Sequence, residues 1–94
     1  MSETLRRRDI AARVSSKLGT SRAVADAALG AVLQSIQEAL ADGDRVVLTG
    51  FGAFEVRRVK ARRLRSVQRG GGEITVAAHD RVAFVPGAEL RGAV

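Results

Sequence analysis

Apolar positions recur at helical spacing through the first part of the chain and alternate through much of the rest. Ile10, Ala11, Val14 and Leu18 step by three and four, one face of a helix expected over roughly Leu5 to Leu18 with Thr4 as N-cap. Arg6, Arg7 and Arg8 fall in its first turn, where cations oppose the positive end of the helix dipole. No structural benefit of that conflict is visible in the sequence, so the triplet is a secondary candidate for phosphate contact. Gly19 stops the helix, and Ser21 is a good N-cap for a second one over roughly Arg22 to Ala41. Val24, Ala25, Ala28, Leu29, Val32, Leu33, Ile36, Ala39 and Leu40 make its stripe wider than one neighbouring helix can cover. A rod of about 30 Å with such a surface calls for partners on more than one side, so the pattern predicts a dimer.

After Ala-Asp-Gly-Asp at 41–44 the period changes to that of strands. Val46-Val47-Leu48 is a short apolar run, Gly50-Phe51-Gly52 a tight turn, and Phe54 and Val56 open a second strand near Ala53. From Arg57 the alternation continues without a clear core face, as far as a turn at Gln68-Arg69-Gly70-Gly71-Gly72. Ile74, Val76, Val82 and Phe84 mark the returning strand, Pro86-Gly87 breaks it, and 88–94 reads as a short helix carrying Leu90. The expected class is α+β: a helical hairpin, a three-stranded antiparallel sheet with a long protruding β-arm, and a C-terminal helix. Leu29, Val32, Leu33, Ile36 and Leu40, with Phe51, Phe54 and Phe84, are the expected core and dimer contacts.

The length of 94 residues suggests one domain, with 1–44 a helical dimerisation part, 45–94 the sheet and arm, and the arm itself at about 57–77. A core of that size is modest, which again favours completion across a subunit interface. There is no cysteine, so neither disulfides nor thiolate metal sites are available. The charged start of the chain reads as no signal peptide, and no stretch reaches membrane-spanning length, so a cytoplasmic location is expected.

Charge sharpens the picture. Residues 1–44 carry six basic and six acidic side chains, whereas 45–94 carry ten basic and four acidic. Between Val56 and Arg69 stand Arg57, Arg58, Lys60, Arg62, Arg63, Arg65 and Arg69, with no acid. A solvated face is the plain reading of such a run. Seven cations without an acid beside them repel one another, and a polyanionic partner relieves that. Fourteen of the sixteen basic residues are arginine, which suits planar contacts to phosphates and groove floors. The arm has almost no apolar face to bury, and an isolated two-stranded ribbon is marginal in water. It is therefore expected to order on nucleic acid. A narrow ribbon can lie in a DNA groove with its arginines reaching phosphates on both sides, and its tip can wedge between base pairs. Arg57, Arg58, Lys60, Arg62, Arg63, Arg65, Gln68, Arg69 and Arg81 are the candidate DNA contacts.

Gly50-Phe51-Gly52-Ala53-Phe54-Glu55-Val56 resembles the Gly-Phe-Gly-x-Phe-x-Val block of the HU/integration-host-factor family of bacterial histone-like proteins. The segments 39–44 before it and 84–90 after it match in type and spacing, so the resemblance runs from about Leu5 to Val94. It implies an intertwined dimer, two arms reaching around DNA, duplex bending and little base-specific readout, in a nucleoid protein. The family's arm tip usually reads Arg-Asn-Pro-x-Thr-Gly. Here Arg65-Ser66-Val67-Gln68-Arg69-Gly70 stands in that place, which makes Val67 the counterpart of the wedge proline. The extra glycines lengthen the turn by one residue. Arg62 and Arg65 match basic arm positions, Val59 falls where arginine is common, Val82 replaces a frequent proline, and Ala88 a frequent lysine.

Competing chemistry finds little support. His79 is the single histidine and has no neighbouring ligand set in the sequence. The glycines at 70–72 lack the Lys-Ser/Thr of a phosphate loop. No nucleophile–base pair is readable, so the chain is expected to be a non-enzyme without cofactor, metal or small-molecule substrate. An RNA-binding or ribosome-associated basic protein is the alternative. An RNA-binding sheet is expected to display aromatics on its strands, and this chain has no Tyr or Trp. A helix-turn-helix regulator needs a basic recognition helix, and the second helix has only Arg22. The partners expected are therefore double-stranded DNA and a second subunit, identical or paralogous, with no membrane.

Overall fold

The computed structural model describes residues 2–65 and 72–94. The chain divides into two compact units, 1–38 and 39–94.

The first unit holds helix α1, Arg7–Leu18, and most of helix α2, Arg22–Ala41. Helix α1 starts two residues later than the sequence pattern suggests, and Arg6 rather than Thr4 is its N-cap. The cause is Asp9, three residues on, whose carboxylate accepts the Arg6 N–H at 2.7 Å and sets an acid in the first turn. The arginine triplet is thereby split. Arg6 lies outside the helix, and Arg7 reaches α2, where its Nε donates to Asp26 at 3.2 Å. That contact supplies the structural benefit missing from the sequence reading. Helix α2 is capped as expected, with the Val24 N–H donating to Ser21 Oγ at 3.2 Å. It ends where Gly43 takes a φ of 85°, and the Gly43 and Asp44 N–H groups return to the carbonyls of Leu40 and Ala39.

The second unit contains a three-stranded antiparallel sheet in the order β1-β2-β5, formed by Val46–Leu48, Gly52–Val59 and His79–Pro86. A separate two-stranded ladder pairs β3, Arg62–Arg65, with β4, Glu73–Val76. Helix α3, Ala88–Ala93, follows. The uninterrupted legs expected from the sequence are thus divided at 60–61 and 77–78. The partner numbers of both ladders nevertheless sum to the same value (Val59 with His79, Arg62 with Val76), so the register passes through the break without a slip. A slip of one residue would have exchanged the faces.

Phe54 stands opposite Phe84 across β2 and β5, with ring centroids 4.8 Å apart. Phe51, in the preceding turn, lies 5.5 Å from the same ring. Gly52 is required here by space: a Cβ would come within 2.7 Å of both Phe84 Cζ and the Val85 carbonyl oxygen. The Gly-Phe-Gly block therefore seats the aromatic cluster at the root of β2.

Candidate nucleic-acid interface

Strand alternation distributes the cations of the second unit over both faces of its ladders. Arg57 pairs directly with Arg81, and Arg58 with Asp80 on the opposite face. Beyond the break, Arg62 pairs with Val76, Arg63 with Thr75, and Arg65 with Glu73. Lys60 lies in the break itself. Arg57, Arg58, Lys60, Arg62, Arg63 and Arg81 are all exposed. Val67, Gln68 and Arg69, with the wedge position, lie outside the described residues.

The cations at the start of the run are not left to repel one another, which corrects the sequence picture of a stretch without acids nearby. Glu55, two residues before Arg57 on the same face, accepts from Arg57 Nη2 at 2.7 Å and from Nε at 3.0 Å. Arg45 approaches its other oxygen at 3.5 Å. The hydrogen bond from Arg57 holds the Glu55 carboxyl below its ordinary range. Partial burial pushes the other way, and the charges of Arg57 and Arg45 lower it further. On the other face Arg58 Nη1 sits 3.1 Å from Asp80 Oδ1. Arg57 and Arg81 are like charges in direct opposition, an arrangement that costs stability unless offset, and Glu55 supplies the offset.

The ribbon β3–β4 also differs from expectation. Leu64 stands directly opposite Ile74 and shares a face with Val76, so the ribbon has an apolar side after all. Leu64 is 40% and Ile74 52% exposed. The pair went unnoticed in the sequence because it joins one leg to the other, and only the register brings its members together.

His79 is exposed, and its Nδ1 lies 3.0 Å from the Ala77 carbonyl oxygen. Among the described residues no three His, Cys, Asp or Glu side chains gather as metal ligands. No helix among them is long and apolar enough to cross a membrane.

The unit that carries this ribbon is built for a polyanion: exposed cations at successive positions of a paired, narrow ladder. Comparison with known proteins gives that class its family. The model of the family described as bacterial DNA-binding protein matches residues 5–94. DNA-binding protein HU-1 of Halalkalibacterium halodurans is 42% identical over 86 residues, covering 92% of this chain and 94% of the relative. DNA-binding protein HU of Geobacillus stearothermophilus is 46% identical over 81 residues, covering 86% and 89%. Among solved structures, an Anabaena HU–DNA cocrystal superposes with a TM-score of 0.86 at 34% identity, covering 95% of this chain and 96% of that one. An HU variant from Thermotoga maritima gives 0.69 at 27% identity, covering 95% and 97%. The chain belongs to the bacterial DNA-binding protein family of HU.

Proposed function

We propose that the chain is an architectural protein of the bacterial nucleoid, which binds double-stranded DNA with little sequence preference and bends it. Two copies each lay the ribbon, with its connecting loop, into the minor groove. Arg57, Arg58, Lys60, Arg62, Arg63, Arg65, Gln68, Arg69 and Arg81 reach phosphates and groove edges, and Val67 acts as the wedge at the tip. The observation that carries this reading is the placing of exposed cations along β2 and β3, where the ribbon presents them on both faces. Binding of this kind involves no covalent chemistry, cofactor or metal.

The second copy is called for by what one chain leaves uncovered. Among the described residues only Ala11, Ala25 and Ala53 form a buried apolar core. Val32 and Leu33 on α2 are 53% and 46% exposed, and Phe51 is 47% exposed. A protein of this size with its large apolar residues in water is not stable alone, and a second subunit covers them. The two-part organisation, residues 1–44 for dimerisation and 45–94 for DNA, is part of the same proposal.

Deletion of residues 60–76 tests the grip. It joins Val59 to Ala77 and leaves Ala77-Ala78 as a two-residue connection between the paired Val59 and His79. Asn-Gly in their place suits the tight hairpin turn. The shortened dimer is expected to fold and to lose most DNA affinity. The full chain is expected to lose affinity steeply with salt, with a slope of about −0.9 per neutralised phosphate. A shortened dimer that binds as well as the full one rejects the proposal.

A further inference from the structure

Resting on that reading of the ribbon, we propose that its apolar face, Leu64, Ile74 and Val76, packs against the deoxyribose walls of the groove and makes the grip selective for DNA over RNA. Leu64 and Ile74 form a direct cross-strand pair, and Val76 is next on the same face. The pair is about half exposed, although each residue sits inside a regular ladder. Cations border this small apolar face at the end nearer the sheet. Arg62, directly opposite Val76, shares it, and Lys60 follows in the break. The one acid of the two ribbon strands, Glu73, is paired with Arg65 and so falls on the other face. An apolar strip bordered by positive charge complements a surface that is hydrocarbon in the middle and phosphate at its rims. The minor groove of B-form DNA has that composition, with sugar C–H groups on its walls. A purely aqueous environment repays the cations and leaves the aliphatic pair in water.

The same complementarity works against RNA. An A-form duplex presents a wide, shallow minor groove lined with 2′-hydroxyls. Turning Leu64 and Ile74 onto those hydroxyls would strip them of water and return no hydrogen bond. Phosphate contacts from the arginines are common to both nucleic acids, so the apolar face is what distinguishes them.

The test is a double substitution, Leu64→Thr with Ile74→Thr, in the full-length dimer. Threonine has the β-branched shape that strands favour, kept from Ile74 and introduced at Leu64, so the ladder is retained. Affinity is measured by fluorescence anisotropy for a short DNA duplex and an RNA duplex of the same sequence, over a series of salt concentrations. DNA affinity is expected to fall about tenfold, the scale for two partly covered aliphatic side chains, with little change for RNA and an unchanged salt slope. The companion pair Leu64→Val with Ile74→Val, which remains apolar, is expected to keep the DNA preference. Equal losses for DNA and RNA, or no loss for either, overturn the inference. Arg62→Gln with Arg63→Gln separates the two levels. It is expected to flatten the salt slope, and an unaltered slope overturns the proposed grip itself and this inference with it.

Discussion

Arg58 and Asp80 face each other across β2 and β5, one rung before the ladder breaks, with Nη1 3.1 Å from Oδ1. The acid occupies a cation that the proposed grip would offer to phosphate. Both side chains are well exposed, so the pair contributes only about 0.2–1 kcal/mol to folding. Its effect on binding is larger, because Asp80→Asn removes a negative charge from the ribbon root of each protomer and releases Arg58. The variant is expected to fold with nearly unchanged stability and to bind DNA several-fold more tightly at low salt. Its salt slope should steepen by up to about 0.9 for each phosphate that Arg58 gains. Salt titrations beside a denaturation curve check both parts.

Much of this architecture is legible in the residue pattern, and most of what is not depends on strand register. Helix α2 at Arg22–Ala41 and strand β1 at Val46–Leu48 follow directly from period and punctuation. These are local signals: a serine cap, a glycine after the last turn, a change from threefold–fourfold spacing to an apolar run. The start of α1 is missed because Asp9 at the third helical position outweighs the Thr4 signal. Asp80 lies 22 residues from Arg58, and Ile74 meets Leu64 only across the turn. Such pairs depend on register, which a single leg of a hairpin does not contain. Asp80 and the apolar face of the ribbon therefore emerge only once the strands are paired, whereas Glu55, two residues before Arg57 on the same strand, is a local neighbour.

Glu55 gives a pH dependence whose sign is set by its lowered carboxyl. A carboxylate held below its unfolded value of about 4.3 adds stability at neutral pH, and that contribution disappears as pH falls through the folded value. Glu55→Gln is expected to be less stable than the parent at pH 7 and equal to it at strongly acid pH, measured as denaturation midpoints at one protein concentration. The same substitution releases Arg57 and Arg45, so DNA affinity at low salt is expected to rise a few-fold. It also leaves Arg57 opposite Arg81 without an acid beside it, which is one physical source of that loss.

Gly52→Ala tests the close approach at the root of β2. The added methyl meets Phe84 Cζ and the Val85 carbonyl oxygen at 2.7 Å, and one of these is backbone and cannot simply turn aside. Overpacking of this kind costs roughly 1–3 kcal/mol. Chemical denaturation at fixed protein concentration should show that loss, whereas Gly72→Ala, which meets nothing within 4 Å, should cost far less.

Substitutions at Val67 test whether bending and binding separate. Valine can enter between base pairs as an apolar wedge but lacks the rigid ring of the proline usual in this family. Val67→Ala is expected to reduce the bend angle more than the affinity, and Val67→Pro to increase the bend. Fluorescence transfer between the ends of a labelled duplex measures the angle. Equal angles for all three proteins reject a wedge at this position.

The dimer is tested on α2, where Val32 and Leu33 are 53% and 46% exposed in one chain. If a second copy covers them, the thermal midpoint of the parent must rise with protein concentration, because association is linked to folding. A carboxylate at that place cannot be buried unpaired without a large desolvation cost. Leu33→Asp is therefore expected to abolish the dimer and, with it, most of the cooperative unfolding transition, as read by sedimentation and circular dichroism. A conservative Leu33→Met should retain both, since the volume and apolar character persist. A parent protein that sediments as a folded monomer, with a midpoint independent of concentration, would mean that the exposed stripe has no partner of its own kind. The two-armed grip would then fail on geometry, because one ribbon cannot hold a duplex from both ends of a bend.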